Sequence, residues 1–152
     1  GQKVYAVDPW KAYPDYDGEG FQERLDTEYE MTKERIKPYN VEIIRKTSMD
    51  AVKDFADESI DWVYIDGHHS FKFVTEDIYE WSKKVKKGGC IAGHDFVISP
   101  IKTGPYVCHV KFVVPAYTRA MGINDWYVIG TYHFPEDKKI KRDRWRSWFW
   151  LK

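Results

Sequence analysis

The chain has 152 residues, in which 24 lysines and arginines balance 24 aspartates and glutamates to a formal net charge of zero. A chain of this length buries about 70% of its unfolded surface, so residues 1–152 are expected to form one domain, and the balanced charge gives no reason to expect nucleic acid or an anionic membrane as partner. Two cysteines are too few for a disulfide framework, and no apolar run approaches the roughly twenty residues of a membrane span, so the expected setting is cytoplasmic.

Lys3 to Val7 is a short apolar run stopped by Asp8-Pro9 and reads as the first strand. Tyr13 to Gly20, rich in Gly, Pro and Asp, is a loop. Phe21, Leu25, Tyr29, Thr32 and Ile36 then recur at spacings of four and three, one face of a helix that ends before Pro38. Val41 to Ile44 is a second strand. Ser48 to Phe55 is a short helix with Ser48 or Asp50 as its N-cap. Asp61 to Ile65 is a third strand. Val74, Ile78, Trp81 and Val85 mark a helix closed by Gly88-Gly89, and Cys90 to Ala92 is a fourth strand in which Cys90 acts as a small hydrophobe.

After a loop from Ser99 to Pro105, Val107 to Met121 reads as a helix that Pro115 kinks or splits and Gly122 ends. Trp126 to Gly130 and Trp148 to Leu151 are the last strands. Between them lies a polar loop whose basic run, Lys138 to Arg144, could hold phosphate but is more often a solvated loop. The aromatics gathered from Trp145 to Trp150 suggest a strand buried on both faces, or an interface. Strands and helices alternating over short connections predict an α/β fold: a Rossmann-like, mostly parallel sheet with helices on both faces.

The third and fourth strands both run into carboxylates and imidazoles, Asp66-Gly67-His68-His69 and His94-Asp95. Open parallel sheets bind ligands at the carboxyl ends of their strands. His69 is a candidate general base because an imidazole titrates near neutral pH. The other reading is that His68 and His69 cap the following helix or bond to backbone. His109 and His133 have no motif around them and read as structural or surface groups.

Four segments in order, Val7-Asp8-Pro9-Trp10, Thr47-Ser48-Met49-Asp50-Ala51, Ile65 to Phe71 and Gly88 to Phe96, resemble signatures of class I S-adenosylmethionine-dependent methyltransferases. The nearest branch includes cephalosporin-hydroxylase-like and sugar O-methyltransferase proteins, and the likeness covers about residues 3 to 130. It implies that Asp8 accepts hydrogen bonds from the cofactor's ribose hydroxyls, the alternative being a turn cap. Ser48 and Met49 would flank the adenine, although Ser48 serves equally well as a helix cap.

Asp66 would lie beside the sulfonium and form the catalytic set with His69. Asp66, His94 and Asp95 would also converge as ligands for Mg2+ or Mn2+, which lowers the pKa of an acceptor hydroxyl. Strongly magnesium-dependent members more often carry a carboxylate where His94 stands, and an imidazole shifts preference toward manganese, iron or zinc.

The family's first strand and glycine-rich turn have no counterpart ahead of Val4, so the resemblance implies a domain truncated at its N-terminal side. Loss of that central strand would leave two strand edges unpaired, at roughly 1–3 kcal/mol per buried unsatisfied group. Alternatively, the edges pair directly or through a partner chain, which favours a homodimer. The implied function is methyl transfer from S-adenosylmethionine to a hydroxyl of a small molecule or sugar. The alternative is a non-catalytic methyltransferase-like remnant or interaction module, with the aromatic C-terminus as contact surface; whether this chain alone is an enzyme stays open between the two.

Overall fold

The computed structural model describes residues 2–12, 21–99, 107–130 and 145–152. The loop before residue 21, most of the loop from Ser99 to Pro105, His133 and the basic run from Lys138 to Arg144 lie outside the described residues. The chain forms two compact units, Gly1–Asp54 and Phe55–Lys152.

In the first unit, β1 (Val4–Val7) and β2 (Val41–Ile44) pair in parallel, Val4 opposite Val41 and Val7 opposite Ile44. The helix α1 (Phe21–Ile36) connects them and stops before Pro38, with Tyr39 N–H bonding the Ile36 carbonyl at 2.8 Å. Its surface carries ion pairs one turn apart, such as Arg24 with Glu28 and Lys33 with Glu30, which lend weak support to an exposed helix. After β2 comes α2 (Ser48–Ala51), continued by a single 3-10 turn, Val52–Asp54. The N-cap is Thr47, one residue earlier than either Ser48 or Asp50: its backbone is extended and its hydroxyl accepts the Asp50 N–H at 3.2 Å.

The second unit contains β3 (Ile60–Ile65), α3 (Phe71–Lys84), β4 (Val85–Gly93), α4 (Val110–Ala120), β5 (Trp126–Ile129) and β6 (Ser147–Leu151). Its sheet order is β3-β4-β6-β5. The β3–β4 pair is parallel, and β6 enters antiparallel between β4 and β5, so three strands share one direction and β6 opposes them. The expected α/β, Rossmann-like architecture is what the chain adopts, but the expected mostly parallel sheet is corrected in the second unit, where two of the three pairings are antiparallel because β6 runs reversed between β4 and β5. The remaining edge of β1, and the edge of β3 away from β4, carry no paired strand among the described residues.

One core joins Val74 and Ile78 of α3, Val110, Val113 and Val114 of α4, and Val85, Ile91, Trp148 and Trp150 of the sheet. The indoles of Trp148 and Trp150 stack at 5.3 Å and are almost wholly buried, whereas Phe149 points to the other side and stacks on exposed Tyr127. Alternation on β6 therefore puts its two tryptophans on the same face.

The helix α4 survives Pro115 because the face bearing Val110, Val113, Val114 and Thr118 is buried. It ends in a Schellman motif: Gly122 takes φ +68°, its N–H bonds Arg119 O, and Ile123 N–H bonds Thr118 O. The glycine pair that was expected to close α3 does not do so. The helix stops at Lys84, and Gly88 and Gly89 lie in an irregular stretch of β4 where the register shifts from Ile60 opposite Val85 to Trp62 opposite Cys90. Cys90 and Cys108 are both free thiols, and no helix among the described residues is long and apolar enough to cross a membrane.

Candidate active site

Parallel pairing continues one residue beyond β4, where His94 N–H bonds the Ile65 carbonyl at 3.0 Å. This fixes Asp66 and His94 at the same level. Gly93 is a glycine for want of room, since a Cβ there would sit 2.3 Å from Trp148 Cζ2 and 2.7 Å from the Ile65 carbonyl oxygen. The same indole donates its Nε1–H to His94 O at 3.1 Å. Asp95 then takes φ +55°, a left-handed conformation that a short polar side chain tolerates better than most. Its turn is held by Val97 N–H on Asp95 O and Phe96 N–H on Arg146 O, and the residue is buried.

From the other strand, the loop Gly67 to Ser70 carries His69 toward the same point. His69 Nε2 lies 2.8 Å from Asp95 Oδ2 and 3.7 Å from Asp66 Oδ1. His94 Nδ1 lies 3.6 Å from Asp66 Oδ1 and 3.4 Å from Asp95 Oδ1. The four expected residues of the strand ends are therefore together.

His68 is different. Its Nδ1 accepts the Ser70 N–H at 3.2 Å and its ring packs on Phe73, so it caps the start of α3, and burial lowers its pKa. Sequence reasoning missed His109 as part of this region. Its N–H donates to His69 O at 2.8 Å and its Nδ1 accepts the Phe71 N–H at 2.9 Å. A lone histidine with no motif around it gives no signal of such a contact.

The Asp66 and Asp95 carboxylates beside His69 raise its pKa to about 9. For Asp95, burial opposes ionisation, but the neighbouring His69 and His94 outweigh it and hold the carboxyl below its ordinary range. The Asp66, His69 and Asp95 ligand atoms all lie within 4.8 Å of one another. His69 Nε2 is buried and has no hydrogen-bond acceptor in line with its N–H, although a carboxylate oxygen is close. A ring nitrogen and carboxylate oxygens crowded around one point, without a bond along the N–H axis, is a donor set that fits a small divalent cation.

The other expected residues belong to the first unit. Asp8 follows β1 directly, its N–H bonding Ile44 O, and its Oδ1 accepts the Trp10 N–H at 2.6 Å. Its Oδ2 has no partner among the described residues. Ser48 and Met49 open α2, just past the same end of the β1–β2 pair. Trp10 is buried at φ +41° and its carbonyl is gripped by Gln22 and Arg45. The Arg45 guanidinium also bonds Asp26 at 2.7 Å and lies 4.4 Å over the Tyr29 ring. This clamp sets the loop after Asp8, and its members were read from the sequence only as one helix position or not at all.

Residues 1–96 match a family model described as a methyltransferase domain. No curated protein sequence matches the chain. Among solved structures, the O-methyltransferase NovP is similar at 16% identity and TM-score 0.59, with 99% of this chain and 60% of that chain covered. Cofactor-bound Rv0187 from MTB is similar at 14% identity and TM-score 0.55, covering 98% and 61%. A SAM dependent methyltransferase from Archaeoglobus fulgidus has 14% identity and TM-score 0.51, covering 100% and 87%. The chain thus spans about three fifths of the length of the first two of these. At such identities the likeness is one of fold.

Proposed function

Because this chain belongs to the methyltransferase-domain family, we propose that it serves S-adenosylmethionine-dependent methyl transfer to a hydroxyl of a small molecule or sugar. In this proposal residues 1–152 act as a single domain, and a divalent cation, Mn2+ or Mg2+, assists the reaction. The observation that carries the metal reading is the convergence of Asp66, His69 and Asp95, with His94 Nδ1 within 3.6 Å of both carboxylates.

When bound, the cofactor would supply a methyl group on positively charged sulfur, and the cation would make the acceptor hydroxyl more acidic. Asp66, half exposed at the strand end, presents an anion that favours a nearby positive charge. Asp95 is buried and held by its turn, so it orients His69. With a pKa of about 9, His69 is protonated at neutral pH in the metal-free protein and there acts as a clamp between carboxylates. It becomes a ligand or a proton acceptor only once that proton has left, and metal binding promotes that loss. Asp8 Oδ2 is available to accept from vicinal hydroxyls, and Met49 offers an apolar side chain beside the Ser48 hydroxyl.

The test is titration of Mn2+, followed by electron paramagnetic resonance, against the wild-type chain and Asp66→Ala. Binding by the wild type with proton release, about tenfold or more weaker in the variant, supports the assignment. Equal binding by both proteins would remove Asp66 from the site.

A further inference from the structure

We propose that His109 is a positioning residue, which fixes the His69 imidazole against Asp66 and Asp95 by gripping the backbone on both sides of the loop that carries it. His109 N–H donates to His69 O at 2.8 Å, and two residues further on Phe71 N–H donates to His109 Nδ1 at 2.9 Å. Phe71 is the first residue of α3, whose leading N–H groups have no partner within the helix. Ser70, at the N-cap position, makes no side-chain bond to them. His109, 38 residues away along the chain, supplies one of the missing acceptors.

The grip is anchored at its other end. Phe112 N–H and Val113 N–H both bond the His109 carbonyl at 2.9 Å, and the turn of α4 that follows is buried through Val110, Val113 and Val114. The neighbouring Cys108 thiol points to the Asp95 carbonyl at 3.5 Å. Two consecutive residues at the entrance of α4 thus touch the backbone of both halves of the cluster, so the separation of His69 from Asp95 is set by a helix seated in the core. Accepting from Phe71 uses the Nδ1 lone pair, so a side chain without an acceptor at that place cannot replace the bond.

This inference deepens the reading of Asp66, His69 and Asp95 as a working centre and rests on it only for the effect on metal binding. Two substitutions separate positioning from packing. His109→Asn places an amide oxygen near the former Nδ1 and can still accept from Phe71, whereas His109→Phe keeps a ring but cannot. Far-UV circular dichroism confirms that each variant folds, and His109→Ala, which adds no bulk, replaces the Phe variant should that fail.

In the Phe variant the Phe71 amide should exchange with solvent at least tenfold faster than in the wild type. The His69 ring resonances at fixed pH should move, and Mn2+ affinity should fall about tenfold. The Asn variant should stay within about threefold of the wild type in exchange and in affinity. The proposal is overturned if the Phe variant keeps Phe71 protection and unmoved His69 resonances, or if Asn and Phe lose both equally. Absence of Mn2+ binding in the wild type would overturn the metal reading, leaving the positioning role to be decided by the exchange rates and His69 resonances.

Discussion

Replacing Asp95 with Asn removes one charge while keeping the shape of the side chain and its tolerance of the left-handed backbone. In the unsubstituted protein the Asp66 and Asp95 carboxylates raise His69 from 6.5 to about 9. Linkage assigns about 1.4 kcal/mol to each pKa unit, but the His69 side chain is 36% exposed, so screening leaves roughly 1–2 kcal/mol in all. Asp95 is the nearer and the more buried partner, so about 1 kcal/mol should go with its charge.

The sign follows from the direction of the shift. A folded pKa above the unfolded one means that the His69 contribution is fully present below pH 6.5 and lost as pH rises through about 9. Asp95, held below its ordinary 3.8, describes the same contact from the acid side, and its contribution is lost as pH falls through that lowered value. The Asn penalty is therefore largest between about pH 4 and 6.5 and small above about 9. Urea denaturation in metal-free buffer on either side of that upper limit measures the penalty, and proton NMR of the His69 ring gives its midpoint, which should fall by about one unit. A midpoint that stays near 9, or a penalty equal at both pH values, would show that the Asp95 charge does not hold the His69 proton.

Gly93→Ala drives a methyl group to 2.3 Å from Trp148 and disturbs the indole bond to His94. Overpacking and the lost bond should cost about 3 kcal/mol, seen by calorimetry as a fall in Tm of roughly 6–12 °C. Thr47→Ala should cost about 1 kcal/mol in urea denaturation, because the Thr47 hydroxyl caps α2. Asp8→Asn keeps an acceptor for the Trp10 N–H and should leave Tm unchanged. It should still weaken S-adenosylhomocysteine binding about tenfold or more, the worth of a hydrogen bond to a charged group, as measured by calorimetry.

How much of this was legible in the sequence depended on whether the determinant was local. Strands β1, β2 and β3 and helix α1 are written in apolar runs and in the spacing of Phe21, Leu25, Tyr29 and Ile36, and a proline bounds β1 and α1. Helix α4 was legible despite Pro115 because its buried face is carried by residues on either side of that proline. The strand-end chemistry was legible for the same reason: short strands running into Asp66 and into His94-Asp95 expose those groups wherever a parallel pair forms.

The end of α3 was misread because Gly88-Gly89 looks like a helix stop. Strand pairing already claims the chain at Val85, and the glycines serve an irregularity within β4. Thr47 was passed over for Ser48, since neighbouring hydroxyls are equivalent until the backbone shows which one is extended. The grip of His109 on His69, the Trp148 bond to His94 and the Arg45 clamp on Trp10 span 35 to 54 residues or depend on a turn. Contacts of that kind leave no periodicity to read.

The most direct measurement is calorimetric titration of S-adenosylhomocysteine into this chain, with and without Mn2+. Micromolar binding that Mn2+ tightens in the wild type but not in Asp66→Ala is the expected result. No binding under either condition would rule out cofactor use by this chain and favour a methyltransferase-like module without cofactor.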